Sequence, residues 1–485
     1  MVNMSRSTRS ARAVAVVAAI LCGAVATSAP KAVHAAAPDP CAPFGSLAEL
    51  KLNDRCDFNT ADASAVVGAL AKGGLFATEV PCRNGTTAAV VARPNDLLVT
   101  SDTPLALVTG LVALRERIGN VIVAVLPLNA LAAVVRVLPG TIDVNFLRVT
   151  IPQLQGPTWS TDLNYLEPVQ PNNGFHPGDD PVEAPAPETF GTAGRGRVLV
   201  VDSPSQPGAH PMEPDVVTSS LGPPTVYDAG GNNLVDEDHA HGTYVASLVK
   251  RLAPGADVVL AGVNGRQLPR SARWSPMMFS DADLIATLDA AFGLSPLGRT
   301  TRRTFDVVNL SLGGAGCADR NGQVVGVRLA LGRFMRDLAA IASQRGAWPM
   351  YVAAAGNDGA DVKHFPAAFR DEETMEAAAL AIDAAVGLAA GKAVRQLQDD
   401  FAEGMVAVGS WTEGARDPFS NCGVWINAVA DGAGETSRYP SPSTTTWANW
   451  SGTSFATPRV TAALVEGADL KDVMMDDAVV DVGGC

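Results

Sequence analysis

The segment WSGTSFATPRV, residues 450 to 460, sets Ser454 between a Gly-Thr pair and an apolar run of helical texture. An alcohol attacks a carbonyl carbon only when a base within hydrogen-bond reach takes its proton and donors receive the charge developing on oxygen. A helix start supplies part of this, because its first N–H groups are unpaired and its dipole end is positive. Gly452 lets backbone approach closely, and Pro458, which has no N–H, belongs near a helix start. By itself Gly-Thr-Ser is more often a cap. The rest of the chain must supply the partners.

In DHAHGTYVASLV, His241 precedes Gly242, Thr243 and an apolar helical run, so it too stands at the mouth of a helix. Imidazole changes protonation near neutrality and suits a general base. His239 lies two positions away but is not followed by Gly-Thr, which makes His241 the candidate. Asp202 closes the run RVLVVD, a buried place where a carboxylate needs a partner and can orient an imidazole. Asn357, in VAAAGNDG, offers an amide donor for an oxyanion beside the backbone N–H of Ser454. Asn-Asp-Gly alone is an ordinary turn.

Elements able to position these groups follow from residue 197 onward. RVLVVDS, DVVLAGV, DVVNLSLGG, PMYVAAAGNDG and GMVAVGS are short apolar runs, most of them ending in Gly, Ser, Asn or Asp. Between them lie the helix-like HGTYVASLVKRLA, SDADLIATLDAAFG and RLALGRFMRDLAAIASQRG. This alternation predicts an α/β fold, a mainly parallel sheet with helices on both faces. Chemistry gathers at the carboxyl ends of such strands, where Asp202, Ser311 and Asn357 fall.

Residues 197 to about 465 resemble the subtilisin-like serine peptidases. The chain order Asp, His, Ser is the one described for subtilisin. The family's motifs match VVDS at 200–203, HGTYVA at 241–246 and SGTSFATP at 451–458. The resemblance therefore implies Asp202 as orienting acid, His241 as general base, Ser454 as nucleophile and Asn357 as oxyanion donor. It places the substrate-binding strand on NLSLGG, where the backbone of Ser311, Leu312 and Gly313 would pair with an extended peptide. Ala354 and Gly356 would line the opposite wall of the first specificity pocket. FPA at 365–367 and FSNCG at 419–423 are similar to family segments, whereas Pro204 and Ala240 stand where the family usually has glycine. The expected reaction is peptide-bond hydrolysis through an acyl-enzyme. Two other readings compete: an inactive relative that only binds peptides, and a related acid peptidase family that uses Glu and Asp in place of His. The intact acid, imidazole, amide and alcohol argue against the first, and HGT against the second.

The remaining sequence bounds the setting. The chain has 485 residues, 47% hydrophobic and 18% charged, enough for two or three domains with a sizeable core. A formal charge of −14 argues against non-specific nucleic-acid binding. Residues 1–35 carry Arg6, Arg9 and Arg12, then an apolar stretch ending in Val-His-Ala, and predict a secretory signal peptide and no membrane anchor. Residues 36–165 predict a small α+β module, 166–196 a Pro/Gly-rich linker and 197–485 the peptidase-like domain. In the module, ADASAVVGALAKGGL, PLALVTGLVALRERIG and LNALAAVVRVL have helical texture, whereas TTAAVVAR, DLLVTSD, NVIVAVLP and TIDVNFLRVTI have strand texture. The resemblance implies that such a module is an intramolecular inhibitor or folding chaperone, with a lasting accessory domain as the alternative.

Cys41, Cys56, Cys82, Cys317, Cys422 and Cys485 remain beyond the signal, three in each half. In an exported chain they predict disulfides, and full pairing requires at least one bridge between the halves. No cofactor is required for the expected chemistry. Calcium often stabilises the family, but no spaced ligand loop can be read and no metal site is assigned.

Overall fold

The computed structural model describes residues 75–143, 146–168, 182–183, 195–204, 219–221, 237–263, 266–267, 277–319, 324–346, 348–440 and 445–468. The predicted signal peptide, most of the linker and the segment ADASAVVGALAKGG lie outside them.

The N-terminal part is built from β1 (Phe76–Pro81), β2 (Thr87–Ser101), helix α1 (Pro104–Ile118), β3 (Ile122–Pro127), β4 (Ala132–Val137) and β5 (Trp159–Pro168). All their pairings are antiparallel, in the order β5-β2-β4-β3 with β1 also on β2. Two segments depart from their texture. LNALAAVVRVL, predicted helical, contributes β4, because Val134, Val135 and Val137 suit a place between two strands and that pairing overrides alanine's helix preference. TIDVNFLRVTI, predicted as a strand, instead winds into helical turns at Phe146–Thr150 and Ile151–Gln153. Asp143 Oδ1 accepts the Phe146 N–H at 2.6 Å to start the winding, and Pro152 could not donate to a ladder. TTAAVVAR and DLLVTSD merge into the single strand β2, whose register shifts between Ala92 and Leu97.

The second part is organised by a sheet of β6 (Arg197–Asp202), β7 (Ser219–Leu221), β8 (Asp257–Gly262), β10 (Val307–Leu310), β12 (Met350–Ala354), β14 (Met405–Thr412) and β15 (Ala428–Ala430). Its order is β14-β12-β10-β6-β8-β7, with β15 also on β14, and each of these pairs is parallel. A two-residue strand at Ala415–Arg416 adds antiparallel to β14. The sheet's apolar strands feed two cores, one containing Leu199, Val201 and Leu310, the other Val198, Val200 and Val258. That alternation shows both faces covered. The covering helices are α2 (Glu237–Leu252), α3 (Asp281–Phe292), α4 (Leu329–Ser343), α5 (Glu372–Val386), α6 (Leu388–Gly404) and α7 (Thr453–Val465). Around the sheet lie β9 (Met277–Ser280), β11 (Gly314–Ala318), β13 (Lys363–Phe365), β16 (Glu435–Pro440) and β17 (Thr445–Trp450).

The two parts share one body. Strand β9 pairs with the end of β5, so the N-terminal sheet continues into the second part. Leu98, Leu131, Ala132 and Val134 belong to the large core that holds α3 and α4. Residues Ser160, Asp162 and Asn164 alternate along β5 and so share one face. Asn164 Oδ1 accepts from Ala282 N at 3.1 Å, Asp162 Oδ2 from Leu329 N at 2.9 Å, and Ser160 Oγ from Arg333 Nε at 2.9 Å. One strand of the N-terminal part thereby satisfies unpaired N–H groups at the starts of both α3 and α4. A disulfide, Cys82–Cys317, joins β11 to the residue after β1.

Candidate active site

Asp202 ends β6 and His241 lies in the first turns of α2. Their approach depends on Gly242, where a Cβ would fall 2.2 Å from the Ser203 carbonyl and 3.1 Å from Asp202 Cβ. Ser203 completes the turn, its N–H donating to Asp202 Oδ1 at 2.7 Å and its Oγ accepting from Gly242 N at 2.8 Å. His241 Nδ1 then meets Asp202 Oδ1 at 2.8 Å. Both side chains are fully buried. The imidazole packs edge-on against Trp450 at 5.7 Å between ring centroids and against Phe455 at 5.5 Å. Its other nitrogen, Nε2, is buried and has no hydrogen-bond partner. The nearby His239 has its pKa lowered to about 4 by burial and stays neutral at ordinary pH.

Ser454 is the second residue of α7, 3% exposed. Pro458 leaves the Ser454 carbonyl without its usual i+4 donor. Ser311 Oγ fills that place, donating to Ser454 O at 2.8 Å. In return the Ser454 hydroxyl donates to Ser311 O at 3.3 Å, and so is turned to Ser311 and not to His241. Asn309 and Thr461 extend the network, with Asn309 Nδ2 on Ser311 Oγ and Thr461 Oγ1 on Asn309 Oδ1, each at 2.9 Å.

Asn357 follows Gly356, whose φ of 101° is open to glycine at little cost. Asn357 Oδ1 accepts from both the N–H and the hydroxyl of Thr453 at 2.9 Å. The carbonyl oxygen is thus committed, and the Nδ2 donor is left for another acceptor. Leu312 and Ala354 are buried, and Gly313 leads directly into β11. The structure thus forms two hydrogen-bonded groups, Asp202 with His241 and Ser454 with Ser311, beside an Asn357 locked to Thr453. Phe455 touches the imidazole and adjoins Ser454 in sequence. The sequence reading passed over Thr453 as the group that orients Asn357, and over Ser311 Oγ as the acceptor's substitute donor. A proline four residues after Ser454 was the signal for the second.

The helices carrying His241 and Ser454 are tied by aromatic packing of Tyr244, Trp450 and Phe455, and by a buried carboxylate. Glu435, 5% exposed, receives Arg251 at 3.3 Å and Arg459 at 2.7 Å. Burial raises its pKa and the two guanidinium groups pull it back. Removing the anion leaves Arg251 buried beside another cation. Glu435→Ala is therefore expected to destabilise the fold by about 3–5 kcal/mol, measured as a lower urea midpoint.

Among the described residues no group of three or more His, Cys, Asp or Glu is placed to hold a metal ion, and no helix is long and apolar enough to cross a membrane. A parallel sheet carrying an acid–imidazole pair at one strand end, with a serine at a neighbouring helix start, defines a serine-type peptidase, a hydrolase. Residues 198–474 match the model of the subtilase family, more than half of the chain, and the chain belongs to that family. Solved structures similar to it include the prenylagaramide maturation protease PagA, at 20% identity over 56% of this chain and 73% of that one, with a TM-score of 0.34. The self-cleaved protease domain of PatA is 21% identical over 56% of this chain and 78% of its own, with a TM-score of 0.33. A lanthipeptide protease is 18% identical over 56% and 71%, with a TM-score of 0.34. No curated protein sequence matches significantly.

Proposed function

We propose that the chain is a secreted serine endopeptidase that cleaves polypeptides through an acyl-enzyme, with Asp202, His241 and Ser454 as its triad. The observation that carries this reading is the buried Asp202–His241 hydrogen bond with Nε2 left unpartnered beside the helix that bears Ser454. Rotation of the Ser454 side chain away from Ser311 O presents its hydroxyl to Nε2. His241 takes the proton as Oγ attacks, and Asp202 holds the tautomer and stabilises the imidazolium. The oxyanion is received by Asn357 Nδ2 and the Ser454 N–H. The peptide lies along Ser311, Leu312 and Gly313 as an added strand, with Ala354 and Gly356 opposite. Labelling of Ser454 by a fluorophosphonate, and its loss in Ser454→Ala, tests the assignment. Export rests on residues 1–35, and detection of the protein outside the producing cell tests it. No metal enters the reaction, and any structural calcium would serve stability alone.

The N-terminal part acts as an intramolecular inhibitor and folding template in this reading. It supplies helix caps to α3 and α4. The chain leaving it is held at both ends: Leu166–Pro168 pairs with β9, and Val182–Glu183 pairs with β17, which runs directly into the Ser454 segment. Occlusion of the cleft by this part is the expectation that activity measurements before and after its removal test.

Docking of this part is expected to depend on pH through Asp162. Burial, with Asp281 adding, raises its carboxyl to about 7 despite hydrogen bonds from Tyr165, Leu163 and Leu329. A free aspartate loses its proton near pH 4. The docked state therefore binds the extra proton between these values, and docking weakens as pH rises from about 4 to 7. Thermal unfolding should show wild type losing stability relative to Asp162→Asn across that window. Parallel profiles would exclude Asp162 as the titrating group.

A further inference from the structure

Three buried polar side chains behind Ser454 are linked in a chain of hydrogen bonds that no step of the proposed reaction uses. Thr461 lies seven residues beyond Ser454 in α7, two turns along and on the same face of the helix. Asn309, in β10, and Ser311, just past its end, are two residues apart and so project to the same side. All three side chains are completely buried. Beside them Val307 and Val460 share an apolar core, so each polar group there depends on a partner.

The chemistry of the groups sets the direction of the chain. Thr461 Oγ1 donates to Asn309 Oδ1 at 2.9 Å. With the amide oxygen taken, the other end of the amide faces Ser311, and Nδ2 can only donate. It donates to Ser311 Oγ at 2.9 Å. That bond engages an oxygen lone pair and leaves the Ser311 proton for the Ser454 carbonyl, 2.8 Å away. The chain thus begins and ends on α7 and passes through β10 between. Its last acceptor is the carbonyl that Pro458 deprives of a helical donor. The carbonyl one residue earlier is served within the helix, where Thr453 O accepts from Thr457 Oγ1 at 2.8 Å. Hydrogen bonds linked in series polarise one another, so loss of the first donor weakens the last bond.

We propose that Thr461 and Asn309 are positioning residues for the nucleophile. They aim the Ser311 hydroxyl at the Ser454 carbonyl, and so hold the first turn of α7 where Ser454 Oγ and the Ser454 N–H act on the substrate carbonyl. This rests on the serine-peptidase reading and goes beyond its triad. Without the Thr461 hydroxyl the Asn309 amide is free to turn over, which offers Ser311 an acceptor in place of a donor. The Ser311 proton then goes to Asn309, and Ser454 O loses its donor. Thr461 and Asn309 are closed off from substrate by burial, so the effect falls on kcat and not on KM.

The test uses the self-processed full chain, one chromogenic peptide substrate and the rate of fluorophosphonate labelling. Thr461→Val removes the hydroxyl and keeps the branched shape, whereas Thr461→Ser keeps the hydroxyl. Thr461→Val is expected to lower kcat and the labelling rate about 3–10-fold, the contribution of one hydrogen bond, with KM unchanged. Thr461→Ser is expected to restore both. In a Ser311→Ala background, Thr461→Val should cause no further loss, because the link through which it acts is gone. Losses that multiply in the double variant overturn the proposal. So does a folded Thr461→Val with wild-type kcat and labelling, or one whose loss lies in KM. Should Thr461→Val melt below the assay temperature, Ser311→Ala alone decides: a reduced kcat at constant KM supports the chain, and a wild-type kcat overturns it. Wild type that neither labels nor cleaves defeats the peptidase reading itself, and this inference with it.

Discussion

Ser454→Ala abolishes peptide hydrolysis, with an expected loss on the order of 10⁶-fold in kcat, the scale known for removing the nucleophile of subtilisin. The size of this effect follows from the division of labour around the site. Asn357 and the helix start are held by contacts that do not involve the Ser454 hydroxyl: Thr453 fixes the amide, and Ser311 Oγ fixes the Ser454 carbonyl. An alanine keeps all of these, so the variant is expected to fold and to keep the Ser311 contact while losing the proposed attacking atom. Asn357→Ala is expected to be milder, about 10²–10³-fold, because the Ser454 N–H remains as a donor. Burst titration and fluorophosphonate labelling measure both. Undiminished turnover in Ser454→Ala would remove the proposed nucleophile.

The site was legible in sequence because its groups sit at points where local structure announces itself. Asp202 stands at the end of an apolar run, His241 and Ser454 at helix starts marked by Gly-Thr, and Asn357 in a turn after a strand. Such signals depend on neighbours in the chain. What sequence could not show depends on neighbours in space. Whether LNALAAVVRVL coils or extends was decided by the strands on either side of it, since alanine tolerates both. The bond of Thr461 to Asn309 needs α7 laid against β10, which no local pattern encodes. The orientation of the Ser454 hydroxyl likewise depends on a carbonyl 143 residues earlier. Cysteine parity required one bridge between the halves but left its partners open. The structure supplies Cys82 and Cys317, 235 residues apart in sequence.

That bridge leads to the second large effect. If the linker between residues 168 and 195 is cut during maturation, the N-terminal part remains covalently attached. Cys82 and Cys317 are both nearly buried, 3% and 4% exposed, at a seam that also holds Asn84 against Asp361 at 2.7 Å. Reductant reaches such a bond poorly while the seam stays closed. Tethering turns rebinding into an intramolecular event, with a gain of about 10²–10⁴-fold over a free inhibitor of equal affinity. Cleaved wild-type protein is therefore expected to run as one species on a gel without reductant and as two with it. Its peptidase activity should rise once the bridge is reduced. The Cys82→Ser, Cys317→Ser double variant should show that higher activity after linker cleavage with no reductant present. Cys422 is also disulfide-bonded, so peptide mapping of the Cys82–Cys317 pair belongs with the gel. Two species without reductant would show that the bridge does not hold the parts together. Equal activity before and after reduction, with the mapped bridge intact at the start, would show that the N-terminal part does not restrain the enzyme.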